Sequence, residues 1–183
     1  MKNKKETRKI YIILTYTGTV LSKIIKYYTK AEFSHISIAL DENLDRMYSF
    51  GRLNPYNPFI GGFVVEGINI GTFKRFKNTK AAVYSIEITN NEYKKIKSAI
   101  KKIKRKQSIY KFNVIGLFAS GFNIKVKKDN SFYCAEFIKY LLDEAKVKLE
   151  LPDIIKPNDF KYVSGLNLKY KGILRKYKLD GVC

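Results

Sequence analysis

The sequence predicts an α+β domain built on an antiparallel sheet. Three observations lead there. Short apolar, β-branched runs outnumber helical patterns along the chain. The helical patterns fall at both ends of the strand block instead of alternating with it, which separates α+β from α/β. Two of the runs are divided by a five-residue polar turn, DENLD at 41–45, the spacing of a hairpin. The 183 residues suffice for one core, and neither an internal repeat nor a break in composition marks a boundary. One domain over 1–183 is expected, with residues 1–9 as a charged, solvated tail.

The elements follow in order. Ile10 to Thr15 is apolar and β-branched, a buried strand, and Tyr16-Thr17-Gly18-Thr19 is a turn. Val20, Leu21, Ile24, Ile25 and Tyr28 recur at helical spacing up to about Thr29. Phe33 to Leu40 reads as a strand with His35, Ser37 and Ala39 on one face. Met47 to Gly51 is its hairpin partner. Leu53 to Gly62 carries Pro55, Pro58, Gly61 and Gly62 and reads as a loop. A short strand at Phe63 to Glu66 and an irregular basic stretch at 67–78 come next. Ala81 to Ile88 is a strand. Thr89 and Glu92 form a capping box that opens a helix with Tyr93, Ile96, Ile100 and Ile103 as its apolar stripe. Phe112 to Phe122 is apolar, with Gly116 and Gly121 as breakers, and suggests a short helix.

Ser131 to Leu142, SFYCAEFIKYLL, reads as a helix capped by Ser131 or Asn130, with Cys134 in its first turn. There the unpaired N–H groups and the helix dipole favour an anion, and the thiolate is the reactive form of cysteine. Pro157-Asn158-Asp159-Phe160 forms one helical turn, and Leu166–Tyr170 and Ile173–Leu179 are candidate closing strands.

Composition narrows the function. The formal net charge is +20, which points towards nucleic acid or an anionic membrane. Lysine, however, greatly outnumbers arginine, the better fork for phosphates and guanine edges. Much of the charge therefore reads as compositional drift with non-specific anion contact, and no specific nucleic acid partner is expected. The lysines of 94–106 read as the solvated face of a docked helix, against the alternative of a non-catalytic basic module that binds nucleic acid or an anionic membrane. Two cysteines and one histidine make no disulfide framework and no structural zinc set, so neither metal nor cofactor is expected. The basic N-terminus is followed by an apolar run too short for a signal peptide, and a cytoplasmic location is expected.

His35 is the only histidine and precedes the one internal cysteine. Imidazole titrates in the range a thiol nucleophile needs from its base, so His35 and Cys134 are the candidate dyad. FSHISIAL, then MYSFG, then much later FYCAEFIKYLL resembles the circularly permuted papain-like hydrolases. These are relatives of the NlpC-type cell-wall peptidases and include the YiiX-like proteins and the lecithin:retinol acyltransferase group. In that group, as here, the histidine precedes the cysteine. The likeness runs from about Thr15 to Phe160. It implies a cysteine hydrolase working through an acyl-enzyme, with Cys134 as nucleophile and His35 as base. Its first substrate class is a peptide or other amide, and its second a lipid acyl group.

The resemblance also implies a third residue that orients the imidazole. Ser49 aligns best, where relatives often carry Glu or His; Ser37 and Glu66 are rivals. The Cys134 N–H is the expected oxyanion donor. The Tyr16 hydroxyl is a second candidate, against a simple packed ring. The long insertion 53–78 is expected to wall the substrate site, with Arg52 at its root and Tyr56 and Phe59 making apolar contacts, against the alternative that it merely covers the sheet.

Overall fold

A computed structural model of the protein describes residues 6–54 and 57–177. The main elements are β1 (Thr7–Tyr16), α1 (Val20–Thr29), β2 (His35–Ala39), β3 (Met47–Asn54), β4 (Asn57–Glu66) and α2 (Gly71–Arg75). They continue with β5 (Lys80–Thr89), α3 (Asn90–Arg105), β6 (Lys111–Phe112), α4 (Val114–Gly121), β7 (Ser131–Phe132), α5 (Cys134–Ala145) and β8 (Asn167–Ile173). Two 3-10 segments, Pro157–Tyr162 and Leu174–Lys176, complete the described chain. The architecture is mixed α+β. Eight strands form one open sheet in the order β7-β6-β4-β3-β2-β1-β5-β8, antiparallel except for the short β6–β7 pair.

Strand alternation divides the apolar side chains between two faces. Ile10, Ile12 and Leu14 of β1, with Ile36 and Ile38 of β2, join the larger cluster, which Ile96, Ile100 and Ile103 of α3 and Phe137, Ile138, Leu141 and Leu142 of α5 complete. Tyr11, Ile13 and Ala39 belong to a smaller cluster on the other face, with Phe73 of α2 and Leu174. Phe50 of β3 anchors the larger core, its ring centroid 5.1 Å from that of Phe137 and 5.3 Å from that of Phe132. The glutamate–threonine box opens α3 as expected: Thr89 N donates to Glu92 Oε2 at 2.7 Å, and Glu92 N to Thr89 Oγ1 at 3.3 Å.

Several expectations are corrected. Thr7–Lys9 are part of β1, paired with Glu87–Thr89, rather than tail; residues 1–5 lie outside the described ones. Residues 53–54 and 57–62 belong to strands instead of a loop, with β3 and β4 paired from Met47↔Glu66 to Asn54↔Asn57. The glycines there serve close packing instead of breaking the strand: a Cβ on Gly61 would sit 2.8 Å from Phe112 Cβ. Within 67–78 the chain makes the short helix α2. Ser131 is in β7 rather than a helix cap, and α5 starts three residues later. The last predicted strand is a 3-10 segment after Ile173, and Leu179 lies outside the described residues.

Candidate active site

The cleft opens where β1 ends and β2 begins. His35 is the first residue of β2 and pairs in register with Thr15. It shares the parity of Ser37 and Ala39, so its side chain leaves the sheet on the side of the smaller core. Phe73 lies beside it, with ring centroids 6.4 Å apart. Gly51 allows the imidazole to lie close over β3: a Cβ there would meet His35 Cε1 at 3.3 Å.

Cys134 comes from the other side. Extended Tyr133 leads from β7 into α5, and Glu136 Oε2 accepts from the Tyr133 N–H at 3.4 Å, which holds the first turn. Cys134 is the first helical residue, so its own N–H has no partner within the helix. It is 2% exposed and lines the cleft together with His35. The thiol is near enough to favour the protonated imidazole.

The third partner is Glu66, at the end of β4. Its Oε2 is 3.0 Å from His35 Nε2 and accepts from Ser37 Oγ at 2.6 Å; Ser37 Oγ also lies 3.4 Å from Nε2. A carboxylate can only accept, so Nε2 carries a hydrogen and Nδ1 is left for the thiol. Burial by itself would push the His35 pKa down. Burial is the largest single influence, but the Glu66 charge and the neighbouring Cys134 and Glu66 side chains together exceed it and raise the value to about 10. For Glu66, burial works upwards; the facing imidazolium and the bonds from His35 and Ser37 override it and hold the carboxyl below its ordinary range. Both shifts favour a charged pair in the cleft at neutral pH.

Ser49, the position that aligned best, is elsewhere. Its hydroxyl donates 2.6 Å to the Ile36 carbonyl. The register of β2 with β3 covers only Ile38↔Tyr48 and Ala39↔Met47, and the serine takes up a carbonyl beyond that ladder. Of the three candidates for the ring partner, Glu66 makes the contact and Ser37 supports it. Tyr16 does not line the cleft; its ring packs against the larger core, with Lys26 Nζ 4.7 Å from its centroid. Arg52 does line it, with its guanidinium carbon 5.6 Å from the centre of the Phe76 ring. Tyr56 and the Phe59 side chain lie outside the described residues. Among the described residues of 53–78, Glu66, Thr72 and Phe73 line the cleft.

Sequence reasoning missed the rest of the rim. Thr17 and Thr19 share a hydroxyl contact of 3.2 Å, and Thr19 caps α1 by accepting from Ser22 N at 3.3 Å. That Thr-x-x-Ser spacing directly after β1 was the available signal. Leu21, Ile25, Phe112 and Leu117 provide apolar walls. The cavity volume is about 60 Å3, room for a small chemical group. Among the described residues, no cluster of His, Cys, Asp and Glu is placed to hold a metal, and no helix is long and apolar enough to cross a membrane.

The class these features define is a mixed α+β protein with a cysteine at a helix start, a histidine from a strand and a carboxylate behind it. No known family model matches the chain, and no curated protein matches it.

Proposed function

We propose that the protein is a cysteine hydrolase or acyltransferase of the permuted papain-like kind, acting on an amide, ester or thioester. The observation that carries this is the row Glu66–His35–Cys134, with the thiol on the first residue of α5. The order of the two elements supports the permuted form: the histidine strand comes first, and the cysteine helix later lies back against β2 and β3.

Cys134 Sγ, its proton held on His35, attacks the acyl carbon and forms a C–S bond. The carbonyl oxygen becomes an oxyanion beside the Cys134 N–H at the start of α5. The imidazolium gives its proton to the leaving nitrogen, oxygen or sulfur as the bond to the acyl carbon breaks. Water or a second acceptor then enters, His35 takes its proton, and the thioester is cleaved to restore the thiol. Glu66 fixes the ring and stabilises its cationic form, the role a carboxylate plays in a triad. Arg52, Thr72 and Phe73 line the substrate side. A peptide or other amide is the first substrate class and a lipid acyl group the second.

The test is a trapped intermediate. Incubation with p-nitrophenyl acetate should release p-nitrophenol in a burst and leave an acetyl group on Cys134, found by peptide mass spectrometry. Cys134→Ala should abolish both. A burst that survives in Cys134→Ala, or no acetylated Cys134 in the wild type, contradicts the proposal.

A further inference from the structure

The mouth of the cleft is flanked by a surface that the chemistry above does not use. On α1, Val20, Ile24 and Tyr27 stand at helical spacing on one arc and face solvent; Val20 is 75% and Tyr27 79% exposed. Tyr28 continues the stripe towards α4. Its ring lies 6.2 Å from Phe118 and 6.1 Å from Phe122. On and just after α4, Ile115 is 67% and Phe122 64% exposed, with Ile124 beside them in sequence and also exposed. Two adjacent helices thus present a continuous apolar and aromatic stripe, larger than the scattered apolar residues of an ordinary surface.

The same helices supply cleft walls. Leu21, Ser22 and Ile25 of α1 and Leu117 of α4 line the cavity that holds Cys134. The charged residues that α1 and the segment after α4 bring to the stripe are lysines. Lys23, Lys26 and Lys30 border it on α1, and Lys125, Lys127 and Lys128 follow α4; all are exposed. No acidic residue occurs from 7 to 31 or from 93 to 128.

We propose that the α1–α4 face docks on an anionic lipid bilayer surface, with its apolar stripe at the acyl boundary and its lysines on the headgroups. Apolar and aromatic side chains on one arc with lysine at the flanks is the composition of an interfacial element. The predominantly cationic rim, in which Lys125 alone of the six lies 3.8 Å from a carboxylate, that of Asp153, matches a negative leaflet, where each nearby lysine adds attraction. A folded protein partner would need acidic groups complementary to those lysines around an apolar centre; a bilayer supplies both layers together. Docking would hold the cleft mouth against the membrane, whatever bond the site cleaves.

The experiment is co-sedimentation of the full chain with phosphatidylcholine vesicles and with mixed phosphatidylcholine–phosphatidylglycerol vesicles. Binding is expected on the mixed vesicles and not on the neutral ones. The substitutions Tyr27→Ser, Ile115→Ser and Phe122→Ser together remove exposed apolar area without touching the core, and should weaken binding by about tenfold or more. Lys97→Gln with Lys101→Gln, on the exposed face of α3, should weaken it far less. Cys134→Ala should bind like the wild type, so failure of the hydrolase proposal leaves this result readable. No sedimentation with anionic vesicles overturns the proposal. So does equal loss with the α3 pair, which would mean diffuse charge attraction. A dimer on gel filtration that the triple variant makes monomeric also overturns it, since a second copy would then cover the stripe.

Discussion

Replacing Glu66 with glutamine keeps the size and a hydrogen-bond acceptor but removes the charge that His35 faces at 3.0 Å. In the wild type the imidazole is raised from its ordinary 6.5 to about 10. At about 1.4 kcal/mol per pH unit, that shift corresponds to at most about 5 kcal/mol of preference for the imidazolium. Burial opposes this shift and Cys134 adds to it, and the loss on removing the Glu66 charge is on the order of 3–5 kcal/mol, the usual scale for breaking a buried pair. Without the carboxylate, burial dominates, and the His35 midpoint should fall by about two units or more. The assay is direct because the chain has one histidine. With 13C-labelled histidine, one imidazole signal reports the titration. The wild-type signal should stay in its cationic position from pH 5 to pH 8 and move only near about 10. Because the folded His35 value lies above the unfolded one, the stabilisation linked to His35 is present below pH about 6.5, down to the range where Glu66 is protonated, and is lost as pH rises through about 10. A wild-type midpoint near the ordinary value, or one that Glu66→Gln leaves in place, would refute the reasoning.

The other predictions concern the frame of the site. Ser49→Ala should lower stability by about 1 kcal/mol in urea unfolding, through the lost bond to the Ile36 carbonyl, and leave Cys134 alkylation at the wild-type rate. Slow alkylation in that variant would return Ser49 to the catalytic row. Phe50→Ala should cost about 3–5 kcal/mol by the same assay, since its ring touches Phe132, Phe137 and Phe63 in the fully buried core. In acid, Glu66 should take up a proton only below its ordinary range. The pair's contribution is therefore present above the unfolded carboxylate value and is lost as pH falls through the depressed one, visible as a falling urea midpoint.

Much of the frame was legible because it rests on local signals. The β-branched run of β1, the capping box before α3, and the apolar spacing of α1 and α5 each specify an element without help from distant residues. His35 and Cys134 were legible by scarcity and residue chemistry. Other features depend on pairing across the chain. Pro55, Pro58, Gly61 and Gly62 read as a loop because glycine and proline usually punctuate. Here Gly61 lets Phe112 approach, and Gly62 pairs with Lys111 of β6. The two-residue strands β6 and β7 are too short for any periodicity to show, so Ser131 passed for a helix cap. Glu66 reaches His35 because the β3–β4 register sets it opposite Met47, a long-range fact that alternation alone does not determine. Ser49 has the right strand parity but is drawn to the carbonyl of Ile36.

The most direct measurement is the rate at which iodoacetamide alkylates Cys134, followed by peptide mass spectrometry with Cys183 as the internal reference thiol. A working dyad predicts that Cys134 reacts faster than Cys183 at neutral pH despite its burial, and that His35→Ala slows Cys134 by about a hundredfold while leaving Cys183 unchanged. Equal, slow labelling of both cysteines, unaffected by His35→Ala, would contradict the assignment of Cys134 and His35 as nucleophile and base.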